Sequence, residues 1–128
     1  MQKKIIGDMG EEFTARYFES KGYKIVGMNY HSRYGEIDVI AENEEWIIFV
    51  EVKTRSSDTM LAPSVAVSKA KQKKLVLTAM QYLAENDSEK MCRFDVFEVW
   101  QNKGKIYRFN HIENAFDAED FSSQYEIF

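Results

Sequence analysis

The sequence predicts an α/β domain organised on one central, mostly mixed sheet. Two segments repeat apolar residues at three- and four-residue spacing, the others alternate or run apolar in the strand period, and their order is helix, three strands, helix, two strands. With 128 residues, 45% hydrophobic and 30% charged, the chain can bury one conventional core, and it matches neither a disordered nor a membrane composition.

From Lys3 to about Lys21, Ile6, Met9, Phe13 and Tyr17 form an apolar stripe, and Gly22 follows as a stop, which predicts an amphipathic first helix. Tyr23 to Tyr30 is short and rich in β-formers, and its pattern is ambiguous. Gly35 to Glu42 and Trp46 to Thr54 read clearly as strands joined by a polar Glu-Asn-Glu-Glu turn, an antiparallel hairpin. A polar segment from Arg55 to Pro63 leads to Ser68, a good N-cap for a helix reaching about Asn86 with Gln72, Val76, Ala79 and Leu83 along one side. Arg93 to Trp100 alternates in the strand period, Asn102-Lys103-Gly104 is a turn, and Ile106 to Ile112 is the expected antiparallel partner. An acidic tail from about residue 113 carries Phe116, Phe121 and Phe128 as anchors. No linker, repeat or low-complexity tract marks a second domain, so residues 1–128 are expected to form one.

Cys92 is the only cysteine, which excludes an intramolecular disulfide and a cysteine metal cage and favours a reducing compartment. The first residues contain no apolar stretch of signal-peptide or membrane-span length, so the expected location is cytoplasmic, with no membrane partner. A formal net charge of -4 argues at first against a polyanionic partner. The mean hides an asymmetry: residues 53–74 hold Lys53, Arg55, Lys69, Lys71, Lys73 and Lys74 against one acid, Asp58. One basic stretch lies on an otherwise acidic body.

Chemistry concentrates on the predicted hairpin. Alternate residues share a strand face, so Glu36, Asp38 and Ile40 point one way, while Ile47, Phe49, Glu51 and Lys53 share one face of the next strand. A turn centred on Asn43 and Glu44 sets Asp38 opposite Phe49 and diagonal to Glu51. A loop one residue longer sets Asp38 directly opposite Glu51. Either register brings the carboxylates to within roughly 5 to 8 Å, measured between Cβ atoms. Burying such groups unpaired costs several kcal/mol. A lone Glu-x-Lys is most simply an internal pair or a snorkelling strand end, but here Asp38 adds a like charge that calls for a cation or a shared proton. Two hard oxygen donors suit Mg²⁺ or Mn²⁺. Lys53 would then orient or deprotonate a water, or stabilise charge building on a phosphodiester.

Asp38 followed by Glu51-Val52-Lys53 resembles the metal motif of the PD-(D/E)xK, or restriction-endonuclease-like, nuclease superfamily. Within it, the residues Gly10-Glu11, Gly35-Glu36-Ile37-Asp38-Val39-Ile40-Ala41, Phe49-Val50-Glu51-Val52-Lys53-Thr54-Arg55, Lys71-Gln72 and Arg93-Phe94-Asp95-Val96 resemble the YraN-like family. The resemblance covers about residues 7–100. It implies a restriction-endonuclease-like αβββαβ core related to archaeal Holliday junction resolvases, with Asp38 and Glu51 as metal ligands and Asp38, Glu51 and Lys53 as catalytic residues. It also carries the first-helix carboxylate of those nucleases onto Glu11, which periodicity alone does not choose over Glu12, and it implies a homodimer.

Gln72 falls within an apolar stripe, where it either orients a site group or is a satisfied buried amide. Lys69 and Lys71 stand at the positive end of a helix dipole, where an anion would offset them, while Lys73 and Lys74 also fit a solvated face. Arg33 and Tyr34 on one side and Arg55 to Thr59 on the other rim the expected site and could track a phosphate backbone. His31 and His111 are too isolated to be proposed as ligands, and Asp95 and Glu98 read as structural strand charges. The expected function is a Mg²⁺- or Mn²⁺-dependent hydrolase cutting branched or structured DNA, with Arg33, Arg55, Lys69, Lys71 and Gln72 binding nucleic acid. The alternative is a non-cleaving module in a DNA repair or recombination assembly. A third reading, an interaction domain without nucleic acid, takes the negative net charge at face value.

Overall fold

The computed structural model describes the backbone of residues 3–56 and 67–118, and their side chains from Asp8 onward. The order is α1 (Lys3–Ser20), β1 (Lys24–Ser32), β2 (Gly35–Glu42), β3 (Trp46–Ser56), α2 (Lys69–Glu85), β4 (Met91–Asn102) and β5 (Lys105–Phe116). The five strands form one sheet in sequential order, antiparallel except for the parallel pairing of β3 with β4, so the αβββαβ core and mixed sheet are as expected. The expected segment through Pro63 and the anchors Phe121 and Phe128 lie, wholly or mostly, outside the described residues.

The stop read at Gly22 is a Schellman cap. Gly22 takes a left-handed φ of 93°, its amide bonds Glu19 O, and the Tyr23 amide bonds Phe18 O. The Phe18 and Tyr23 rings then meet edge to face at 5.6 Å, supplying the apolar contact such caps favour. Helix α2 begins where Ser68 Oγ accepts the Lys71 amide at 3.2 Å, as expected of an N-cap.

Each face of the sheet carries one helix. Leu75, Val76, Ala79 and Tyr82 of α2 pack with Ile40, Ile47, Phe49, Phe94 and Val96. On the opposite face Phe13, Tyr17 and Phe18 of α1 pack with Val39, Ile48, Val50, Phe97 and Val99. Burial on both faces explains why β3 and β4 read as near-continuous apolar runs.

Strand β4 runs two residues further at each end than expected, and three other boundaries differ for identifiable physical reasons. Strand β1 continues to Ser32 because its ladder with β2 runs to the hairpin, pairing Ser32 with Gly35. Strand β3 continues through Arg55, whose guanidinium is held by Glu98 of β4. Strand β5 continues through Phe116, which stacks on Phe94 at 4.9 Å, so residues 113–116 belong to the sheet.

Gly10 lets α1 lie directly against β3. A Cβ there would fall 2.2 Å from Thr54 Oγ1 and 3.3 Å from Val99 Cγ2. Gly10→Ala is expected to destabilise the protein by about 1–3 kcal/mol in urea unfolding, the usual cost of overpacking. Adding Thr54→Ala should recover most of that loss.

Candidate metal centre

The β2–β3 ladder pairs Val39 with Val50, and one further step places Asp38 opposite Glu51. This is the second of the two registers the sequence allows. The turn fixes it: Asn43 Oδ1 accepts the amides of Glu45 at 3.0 Å and Trp46 at 2.8 Å, and the Asn43 amide bonds Trp46 O. Past Val39 the Asp38 carboxyl takes over from the ladder, Oδ2 accepting the Val52 amide at 2.8 Å. Asp38 and Glu51 are both buried, at 8% and 9% exposure, among apolar neighbours.

Burial raises the Asp38 carboxyl, its hydrogen bond with Glu51 and the Glu51 charge raise it further, and the Val52 amide only partly opposes them, leaving it at about 8. The pair therefore shares a proton at neutral pH. A cation reaches it as well: Lys71 Nζ lies 3.3 Å from Glu51 Oε2. Glu51 is thus served from α2 rather than paired with Lys53 in its own strand. Lys53 is half-buried, two residues along the same strand from Glu51 and level with Glu98 of β4.

Glu11 is the α1 carboxylate turned toward this pair. It is half-buried and accepts Asn29 Nδ2 at 3.0 Å. Burial raises its carboxyl, the Asn29 bond opposes this, and the charges of Asp8 and Glu36 raise it again. Glu12 is exposed and pairs with Arg16 at 3.4 Å. Among the described residues no group of three His, Cys, Asp or Glu side chains is arranged to hold a metal ion. The donors present are therefore the Asp38–Glu51 pair, with Glu11 beside it.

The expected nucleic-acid residues divide. Arg33 is exposed at the β1–β2 turn, its guanidinium 4.9 Å from the Tyr34 ring centre. Lys69 is exposed at the start of α2, and Lys71 is engaged with Glu51. Gln72 is buried; Nε2 donates to Val67 O at 2.8 Å while Oε1 has no partner, so the amide is only half satisfied. Arg55 points inward: its Nε and one terminal nitrogen lie 3.0 and 2.9 Å from Glu98 Oε2, and Asn110 bonds Glu98 Oε1 at 3.1 Å.

A second buried network escaped sequence reasoning. His111 is not isolated: Nε2 lies 2.7 Å from Asp95 and Nδ1 lies 3.2 Å from the Tyr17 hydroxyl. Burial would raise the Asp95 carboxyl, but bonds from His111, Arg93 and the Asn114 amide hold it below the usual carboxylate range. Long-range pairs of this kind leave no local signal in one chain. A cavity of about 790 Å³ bordered by Glu42, Tyr82, Lys90 and Met91 lies at the other end of β2 and α2.

Two helices on a five-stranded mixed sheet, with a buried carboxylate pair at the end of one hairpin, define an α/β protein with a polar site set into its core. The model of the uncharacterised protein family UPF0102 matches residues 10–99, and the chain belongs to that family, the YraN-like one its motifs resemble. A UPF0102 protein of Alkaliphilus oremlandii is 47% identical, over 91% of this chain and 100% of that protein. Others from Caldanaerobacter subterraneus and Myxococcus xanthus are 44% and 40% identical, each over 91% of this chain and 98% and 93% of their own lengths. A solved structure described as "Crystal structure of SSO0001" aligns with 98% of this chain and 59% of its own at 16% identity and a TM-score of 0.36, too slight a likeness to argue from. Among the described residues no helix is long and apolar enough to cross a membrane.

Removing Arg55 would take from Glu98, 1% exposed, the guanidinium that holds its Oε2. Arg55→Leu is expected to cost about 3–5 kcal/mol in urea unfolding. Asp38 gives a pH signature. Its folded value of about 8 exceeds the ordinary 3.8, so the folded state holds a proton that the unfolded chain has released. The stability this group contributes is present below pH 4 and is lost as pH rises to about 8. In chelator-treated protein, Asp38→Asn should therefore raise the melting temperature relative to the wild type more at pH 9 than at pH 5.

Proposed function

We propose that this protein is a Mg²⁺- or Mn²⁺-dependent nuclease of the PD-(D/E)xK superfamily, hydrolysing phosphodiester bonds in branched or structured DNA. The observation that carries the reading is the enforced meeting of Asp38 and Glu51, two buried carboxylates that need a proton or a cation between them. Hard oxygen donors from two side chains suit an ion that keeps water in its other positions, so the residues fit such a metal without a third carboxylate in direct contact. A bound divalent ion would supply charge neutralisation at the phosphate and acidify an attacking water. Asp38 and Glu51 would hold it, and the Val52 amide fixes the Asp38 carboxyl for that role. Lys53, close behind Glu51 on β3, would orient the water or meet the charge developing on the phosphate. Exposed Arg33 and Lys69, with Lys71 near the pair, would position the nucleic acid backbone, and the half-satisfied Gln72 would orient a group near the site.

The test incubates end-labelled junction, flap, nicked and linear DNA with the protein in Mg²⁺ or Mn²⁺. Cleavage of the branched forms is expected, abolished by chelation and reduced about 100-fold or more in Asp38→Asn and Lys53→Ala, the scale of a lost acid–base or charge-stabilising group. Equal product from all three proteins would refute the site. Salt-sensitive binding without product would support a DNA-binding module that does not cut.

A further inference from the structure

We infer that Asn29 is a positioning residue, whose left-handed backbone and side-chain amide together set Glu11 beside the Asp38–Glu51 pair. This inference rests on the metal reading above and adds a residue to it.

Two independent observations meet at Asn29. Its φ is 52°, inside a β-strand whose neighbours Met28 and Tyr30 pair normally with Val39 and Ile37 of β2. Side chains rarely adopt that conformation, and Asn is one of the few that does so at modest cost. The residue also stands level with Asp38, between those two pairings. There Nδ2 donates to Glu11 Oε1 at 3.0 Å, across to α1.

The strand's alternation breaks at Asn29, whose neighbours Met28 and Tyr30 pair with Val39 and Ile37 on opposite faces of the sheet, and its amide is delivered to the helix carboxylate there. The left-handed turn of the backbone at Asn29 accompanies that delivery, as expected where local strain is kept for positioning. A neutral donor also suits the place, because Asp8 and Glu36 already surround Glu11 with negative charge. The amide fixes the carboxylate without neutralising it, so its charge remains available to a cation at Asp38 and Glu51.

The test compares wild type, Glu11→Gln, Asn29→Gly and the double variant by Mn²⁺ calorimetry and by urea unfolding of chelated protein. Glycine accepts the positive φ, so Asn29→Gly removes the amide and keeps the backbone. Each single variant is expected to weaken Mn²⁺ binding about 10-fold, the range seen for residues that orient metal ligands, and the double variant should bind no more weakly than either. The urea midpoint of Asn29→Gly should stay at or above the wild-type value, which a merely structural role would not allow. Mn²⁺ affinity unchanged in Asn29→Gly but lowered in Glu11→Gln would overturn the role of Asn29 and leave the metal reading standing. Additive losses in the double variant would also overturn it. Absence of Mn²⁺ binding by the wild type would overturn the metal reading and this inference together.

Discussion

The structure turns on two carboxylates that the fold forces together. Asp38 and Glu51 emerge from neighbouring strands into the same buried space, and the hairpin register leaves them no way to part. A protein interior ordinarily separates like charges or gives each its own counter-ion. Here Lys71 serves only one member, and burial together with the Glu51 charge raises the Asp38 carboxyl so that it holds a proton. Everything else near the pair reads as support for that arrangement: the Val52 amide on Asp38, Glu11 from α1, and α2 laid so that its first turn reaches Glu51.

The contrast with the chain's other buried charges is instructive. Glu98 is matched by Arg55 and Asn110, and Asp95 by Arg93, His111 and the Asn114 amide. Those carboxylates are satisfied, and they join β4 to its neighbours on both sides. Among the described residues, the Asp38–Glu51 pair has one cation, Lys71, for two buried carboxylates. That difference sets the pair apart from the other buried carboxylates, which also lie on central strands.

Much of this was legible in the chain. The helical stripes, the Gly22 stop, the Ser68 cap and the alternating strands are local signals, and each corresponds to a local structure. Strand periodicity sets Asp38 and Glu51 on one side, although in the structure the alternation is interrupted at Asp38, where Ile37 and Val39 pack on opposite faces of the sheet. What periodicity could not settle was register, because that choice lay with the Asn43 side chain in the turn. It could not choose Glu11 over Glu12 either, since the two flank the apolar stripe symmetrically and only the sheet beneath distinguishes them. Arg55 looked like a rim cation because its partner is 43 residues away in the sequence. His111 looked isolated for the same reason, its partners lying on α1 and β4.

The single parallel ladder has a consequence for how the molecule assembles. Strands β1, β2 and β3 form a meander of short hairpins, and β4 with β5 forms another, so each half can nucleate from nearby contacts. Joining them requires Trp46 to find Met91 and Ser56 to find Gln101, a closure whose entropy must be met before its contacts repay it. Asp38, Glu51 and Glu11 all belong to the half made first from the N-terminal side. A nascent chain can therefore gather its acidic groups before β4 exists, and α2, which packs chiefly on β2 and β1, belongs with that half and carries Lys71 to Glu51.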